Sequence, residues 1–176
     1  MTEDSLCCSN LTHMKYYKTI ATLALMPFLL SAKEKEVPVP DVSVEKVTFG
    51  AQVNDAAFDA KALAGKVLVV ESWGVNCPPC IASLPEMQSL SKSGAKKGLV
   101  VVGLEAQGSS NEAILKVLKS ARVTYPVMKG GDIGVAHNGI PYVAIYGVEG
   151  KLLWHGNPAN DEFKRKVKEA LRAVEK

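Results

Sequence analysis

Two cysteines separated by two prolines, Cys77-Pro78-Pro79-Cys80, are the residues of this chain best suited to chemistry. They stand where an apolar β-type run, Val67-Leu-Val-Val-Glu-Ser-Trp73, gives way to helical spacing, with Ile81, Leu84, Met87 and Leu90 along one side. A Cys-x-x-Cys pair at a strand-to-helix junction is a redox arrangement. Thiols one turn apart close a small disulfide ring. The first, at the helix N-terminus, meets unpaired backbone N–H groups and the positive end of the helix dipole. Both favour the thiolate, which is the nucleophile. Pro78 suits the first helical position, where a missing N–H loses nothing. Cys77 is the candidate nucleophile that attacks a partner disulfide, and Cys80, one turn deeper, resolves the mixed disulfide. A structural disulfide and a zinc half-site are the competing readings. A loop this small removes little chain entropy, and zinc needs four ligands, for which no second Cys/His pair is spaced.

Glu71 is the third candidate. A carboxylate inside a central strand is costly without a purpose, because burial disfavours its charged form and raises its pKa. The plainer reading is an acid on a solvated strand end. His137 and His155 are the histidines that follow the cysteine pair. His137 with Cys77 and Cys80 offers the donor types of a copper site, although loop histidines account for both. No resident metal or cofactor is expected.

The elements that must position these residues follow from periodicity. Val42 to Phe49 alternates as an edge strand, and Ala56 to Gly65 carries a weak helical or turn pattern with Phe58 and Leu63 inward. Val67 to Ser72 is the central strand and Cys80 to Ser93 the first main helix. Leu99 to Leu104 is a continuous apolar run, as in a parallel strand covered on both faces. Ser110 opens a helix with Ile114, Leu115 and Leu118 along one side. Val123 to Met128 reads as a short outer strand, and Lys129-Gly-Gly-Asp132 as a turn. Tyr142–Tyr146 and Lys151–Trp154 flank Gly147-Val-Glu-Gly150 as an antiparallel hairpin. Asp161 to Lys176 is an amphipathic helix with Phe163, Val167, Leu171 and Val174 inward. The sum is an α/β chain with a mixed central sheet and helices on both faces.

At 176 residues there is room for one domain and an appendage. The composition, 47% hydrophobic and 22% charged, excludes disorder throughout. A net charge of +3 without Lys/Arg runs interleaved with aromatics gives no nucleic-acid face. Residues 1–32 read as a start extension followed by a secretory signal. Met14-Lys-Tyr-Tyr-Lys18 is a basic start, Thr19 to Leu30 is apolar, and Ser31-Ala32 offers small residues for cleavage. Membrane anchoring through residues 15–30 is the alternative. Met14 as the true start would remove Cys7 and Cys8, a pair read as having no role. Residues 33–43, charged and then proline-rich, form a linker, and residues 44–176 form the domain.

Glu71-Ser-Trp-Gly-Val-Asn-Cys-Pro-Pro-Cys80, Pro85 within the following helix, and Gly139-Ile140-Pro141 occur in an order and spacing that resembles the thioredoxin superfamily, TlpA/ResA branch. The resemblance covers residues 44 to 176 and implies the thioredoxin fold. It also implies an exported thiol-disulfide oxidoreductase, periplasmic or on the outer face of the cytoplasmic membrane. Its partners would be disulfide-bearing exported proteins and an upstream thiol electron donor. By this likeness Glu71 accepts the Cys80 proton, Pro141 is a cis-proline against the cysteine pair, and Ile140 offers backbone groups to a client. By the same likeness Trp73 and Asn76, beside the active site, are client-binding positions with Ile140 and Pro141. Asn76 departs from the aromatic that many relatives carry, and Ser83 from their glutamate, so client choice and thiol pKa values are open. A disulfide-forming oxidant and a copper carrier of the same fold are the rival readings. The oxidant is weakened because no helical insertion lies between Leu104 and Pro141. The carrier is weakened because such proteins space their cysteines by three residues.

Overall fold

The computed structural model describes residues 39–174. The candidate signal or anchor, Cys7, Cys8 and most of the linker lie outside the described residues. Six strands form one mixed sheet in the order β1-β4-β3-β2-β5-β6. They are β1 (Thr48–Gln52), β2 (Val67–Trp73), β3 (Leu99–Glu105), β4 (Val127–Asp132), β5 (Tyr142–Tyr146) and β6 (Leu152–Gly156). Helices α1 (Pro78–Gly94), α2 (Asn111–Ala121) and α3 (Asp161–Arg172) complete the domain. Strand β2 lies between β3, parallel to it, and β5, antiparallel.

All seven residues of β2 are buried, as a strand covered on both faces requires. Its alternation divides the core. Val67, Val69 and Trp73 face α1, α2 and α3, joining Leu84, Met87, Ile114, Leu118, Phe163 and Val167. Leu68 and Val70 face the other way, with Val102, Met128, Ile133 and Tyr146. That second face is covered by the 3-10 helices Val44–Lys46 and Ala60–Leu63 and by Phe49, Phe58 and Val135. The sheet therefore carries helices on both faces and has the thioredoxin-like arrangement.

Caps explain where the helices begin. Ser110 accepts the Ala113 amide at 3.2 Å, and Asn160 accepts the Glu162 amide at 2.9 Å. Arg122, in the left-handed region at φ 56°, ends α2 and donates its amide to the Leu118 and Lys119 carbonyls.

Three expectations change. The segment read as an edge strand from Val42 to Phe49 turns first as a 3-10 helix, with the Ser43 hydroxyl accepting the Glu45 amide, and pairing starts only at Thr48. Lys129-Gly-Gly-Asp132 is not a turn but the body of β4, which lies inside the sheet between β1 and β3. Gly131 and, on β1, Gly50 allow a close approach of strands, since a Cβ on Gly131 would overlap the Thr48 carbonyl and one on Gly50 the Lys129 carbonyl. Leu115 is exposed; the 3.6-residue period turns it away from the buried Ile114/Leu118 stripe.

Candidate active site

Strand β2 ends at Trp73, the chain turns through Gly74, Val75 and Asn76, and Cys77 caps α1. Cys77 has extended backbone angles, and its sulfur accepts the Cys80 amide at 3.3 Å. Pro78 and Pro79 fill the first two helical positions, so the nearest backbone donor left for that sulfur is Cys80. The two cysteines form a disulfide, with Sγ atoms 2.07 Å and Cα atoms 5.2 Å apart. Cys77 retains 7% exposure and Cys80 none, so an incoming sulfur can meet only the former. Cys77 Sγ lies 3.7 Å from the Ile140 carbonyl oxygen. The Ile140–Pro141 peptide bond is cis, and Pro141 is buried against this end of the sheet.

Glu71 is fully buried, so it is not the acid of a solvated strand end. Loss of hydration raises its pKa from 4.5 to about 7, against the lowering effect of two hydrogen bonds. The Ser83 hydroxyl donates to Oε1 at 3.0 Å and the Tyr125 hydroxyl to Oε2 at 3.2 Å. Burial, reinforced by the neighbouring carboxylate, pushes the Tyr125 phenol well above its usual value. Ser83 Oγ is also 2.8 Å from the Cys80 carbonyl oxygen. A hydroxyl has one proton, so it serves either the carboxylate or the carbonyl at a given moment. When Glu71 is itself protonated it becomes the donor to Ser83, whose own proton turns to the carbonyl.

Asn76 is exposed beside Cys77, and its amide donates to the Gln107 Oε1 at 2.8 Å. Gln107 lies across Gly74, where a Cβ would overlap its side chain. The loop after β3 thereby braces the turn before Cys77. Trp73, placed by resemblance at the client surface, is instead wholly buried, with its indole Nε1 3.1 Å from the Cβ position of Gly103. It offers no face to a client because β2 continues through it, and it supports the site from beneath. The histidines are not with the cysteines. His137 stacks on Tyr142 with ring centroids 5.1 Å apart, and His155 Nδ1 is 2.8 Å from the Tyr142 hydroxyl. Tyr142 packs on the sheet face opposite the disulfide, and among the described residues no group of His, Cys, Asp or Glu is placed to hold a metal ion. Sequence reasoning missed Tyr125 and Gln107. Tyr125 sits within an apolar stretch far from Glu71 in the chain, and no local spacing ties the two together.

The redoxin family model matches residues 34–171. The chain belongs to the redoxin family. Sporulation thiol-disulfide oxidoreductase A of Bacillus subtilis is 26% identical over 115 residues, covering 64% of this redoxin and 66% of that protein. NHL repeat-containing protein 2 of Gallus gallus is 26% identical over 134 residues, covering 71% of this chain, which spans only 18% of that relative. A thiol:disulfide interchange protein of the thioredoxin family from Chlorobium tepidum superposes with a TM-score of 0.61 at 25% identity, over 78% of this chain and 99% of its own. A Cys-x-x-Cys disulfide at a helix start in a redoxin fold supports thiol-disulfide redox chemistry in general.

Proposed function

We propose that this redoxin reduces disulfides in exported proteins by a Cys77/Cys80 dithiol-disulfide cycle. The observation that carries the reading is the asymmetry of the pair, with Cys77 on a helix N-terminus retaining slight exposure and Cys80 wholly buried behind it. The Cys77 thiolate attacks a client S–S bond, forming a Cys77–client bond and releasing one client thiolate. Cys80 then gives up its proton and attacks the Cys77 sulfur. The mixed disulfide breaks, the second client thiolate leaves, and the Cys77–Cys80 disulfide seen here is formed. An upstream thiol donor returns two electrons and two protons.

Glu71, with a pKa near neutrality, is the acceptor for the Cys80 proton, and Ser83 links its carboxyl to the Cys80 backbone. The Ile140 carbonyl beside Cys77 gives an extended client a place to pair, and Asn76 borders it. Residues 44–176 are the working domain. Residues 33–43 are the spacer, and residues 1–32 carry the export signal or anchor that places the domain outside the cytoplasm.

Insulin reduction by dithiothreitol tests the reading. The full chain accelerates precipitation of the insulin B chain, and Cys77→Ser abolishes that acceleration. Loss of catalysis in neither Cys77→Ser nor Cys80→Ser would overturn the cycle.

A further inference from the structure

The end of the domain opposite the disulfide gathers cations from separate parts of the chain. Lys66 precedes β2, whose first amide, on Val67, donates to the Gly98 carbonyl. Lys96 and Lys97 fill the 3-10 turn just before that glycine. The end of α3 reaches the same place, because Val174 packs 3.0 Å from the Cβ position of Gly98, and this brings Arg172. Lys151 follows the Gly147–Gly150 turn, which extends from β5 where Tyr146 pairs with Leu68. Lys61 and Lys66 line a cavity of about 440 Å³ together with that turn.

Five of the six cations are exposed and Lys66 is half-buried. Among the described residues none of the six is in an ion pair; the pairs present join Glu86, Glu162 and Glu169 to Lys164, Arg165 and Lys166. Glu45 and Glu149 line the same cavity, and Asp41, Asp59 and Glu169 lie two or three residues from Ser43, Lys61 and Arg172. The disulfide end differs: Val75, Asn76, Pro78, Pro79, Ile81 and Ile140 carry no charge.

The linker also joins the domain at the basic end. Ser43 bridges to Lys151, the Val44 amide donates to the Gly150 carbonyl, and the Leu152 amide donates to the Val42 carbonyl. The described end of the linker, residues 39–43, therefore meets the domain at the pole that carries these cations.

We propose that this basic pole docks on an anionic lipid bilayer, holding the uncharged disulfide end toward clients on the far side. A cluster of cations near an anionic surface is attracted by roughly 1 kcal/mol per Lys or Arg, or about fivefold in partitioning each, and the attraction is screened by salt. The inference does not rest on the exchange chemistry.

Vesicle co-sedimentation of the full chain tests it, with phosphatidylcholine vesicles set against vesicles one-third phosphatidylglycerol. Binding to the neutral vesicles reports the apolar N-terminal segment, and the added binding to anionic vesicles reports charge. The expected result is an increment on anionic vesicles that falls with salt and is lost, by well over tenfold, in K96E/K97E/K151E. K61E/R172E, on other elements, is the second variant and loses part of the increment. Insulin reduction in both variants stays at the wild-type rate, which reports an intact fold. Equal binding to the two vesicle types overturns the proposal. So does an increment that survives both variants, which would assign it to Lys15 and Lys18 instead.

Discussion

Ser83 donates its hydroxyl to the Glu71 carboxylate across 3.0 Å, joining the first turns of α1 to the middle of β2 underneath the disulfide. A helix-borne hydroxyl and the Tyr125 phenol are the hydrogen-bond partners of an acid that is otherwise surrounded by apolar core. Removing either donor leaves desolvation less opposed, so the Glu71 pKa must rise further above about 7. Because the proposed cycle needs Glu71 as a base, the acid limb of its pH–rate profile shifts to higher pH in Ser83→Ala and in Tyr125→Phe. Exchange at pH 7 slows in both, and the wild-type rate returns at higher pH. A slowed rate with an unmoved profile would assign both residues to packing alone.

Stability should report the same carboxyl from the opposite direction. Glu71 binds its proton more tightly folded than unfolded, since its pKa rises from 4.5 to about 7 on burial. Stability from this group is therefore fully present below pH 4.5, declines as pH rises toward 7, and is absent above that. The shift corresponds to a loss on the order of 3 kcal/mol across the window. Glu71→Gln removes the titration, so urea unfolding of the oxidised variant lacks this decline while the wild type shows it.

Part of the site was readable from the chain because it is local. The junction at Cys77 and the burial of Glu71 follow from spacing within one strand and the helix after it, whereas the Ile140-Pro141 loop was placed by family resemblance and meets Cys77 across a separation of 63 residues. Strand pairing across long separations was not. Lys129-Gly-Gly read as a turn because glycine punctuates loops, and only the pairing with β1 shows why the strand needs Gly131, where a Cβ would overlap the Thr48 carbonyl. Tyr125 and Gln107 were hidden for the same reason, since their partners Glu71 and Asn76 lie far away in sequence. Trp73, given client contact by resemblance, closes β2 and is buried with the rest of that strand.

That close approach of strands makes a separable prediction. Gly50→Ala places a Cβ against the Lys129 carbonyl and costs about 2–3 kcal/mol. Gly108 has φ +69° but nothing within 4 Å of its Cβ position, so Gly108→Ala costs only the left-handed backbone term, about 1 kcal/mol. Thermal melts of the two variants rank them. Equal losses would mean that β1 yields at its free edge instead of resisting.

Redox potential follows from the donors that reach Cys77. An N-cap group usually accepts from the second or third helical amide, and Pro79 has removed the second, leaving Cys80 at 3.3 Å. Thiolate stabilisation lowers the energy of the reduced form and makes the pair more oxidising. With one donor in place of two, the pair is shifted toward the reducing end of the span from about −120 to about −270 mV. Pro79→Ala returns an amide to the sulfur. A hydrogen bond to a charged group contributes about 1.5 kcal/mol, which for two electrons raises the potential by about 30 mV. Equilibration of both proteins against glutathione, read by the ratio of oxidised to reduced chain, measures the difference. A Pro79→Ala potential equal to or below that of the wild type would show that the missing amide does not set the redox direction.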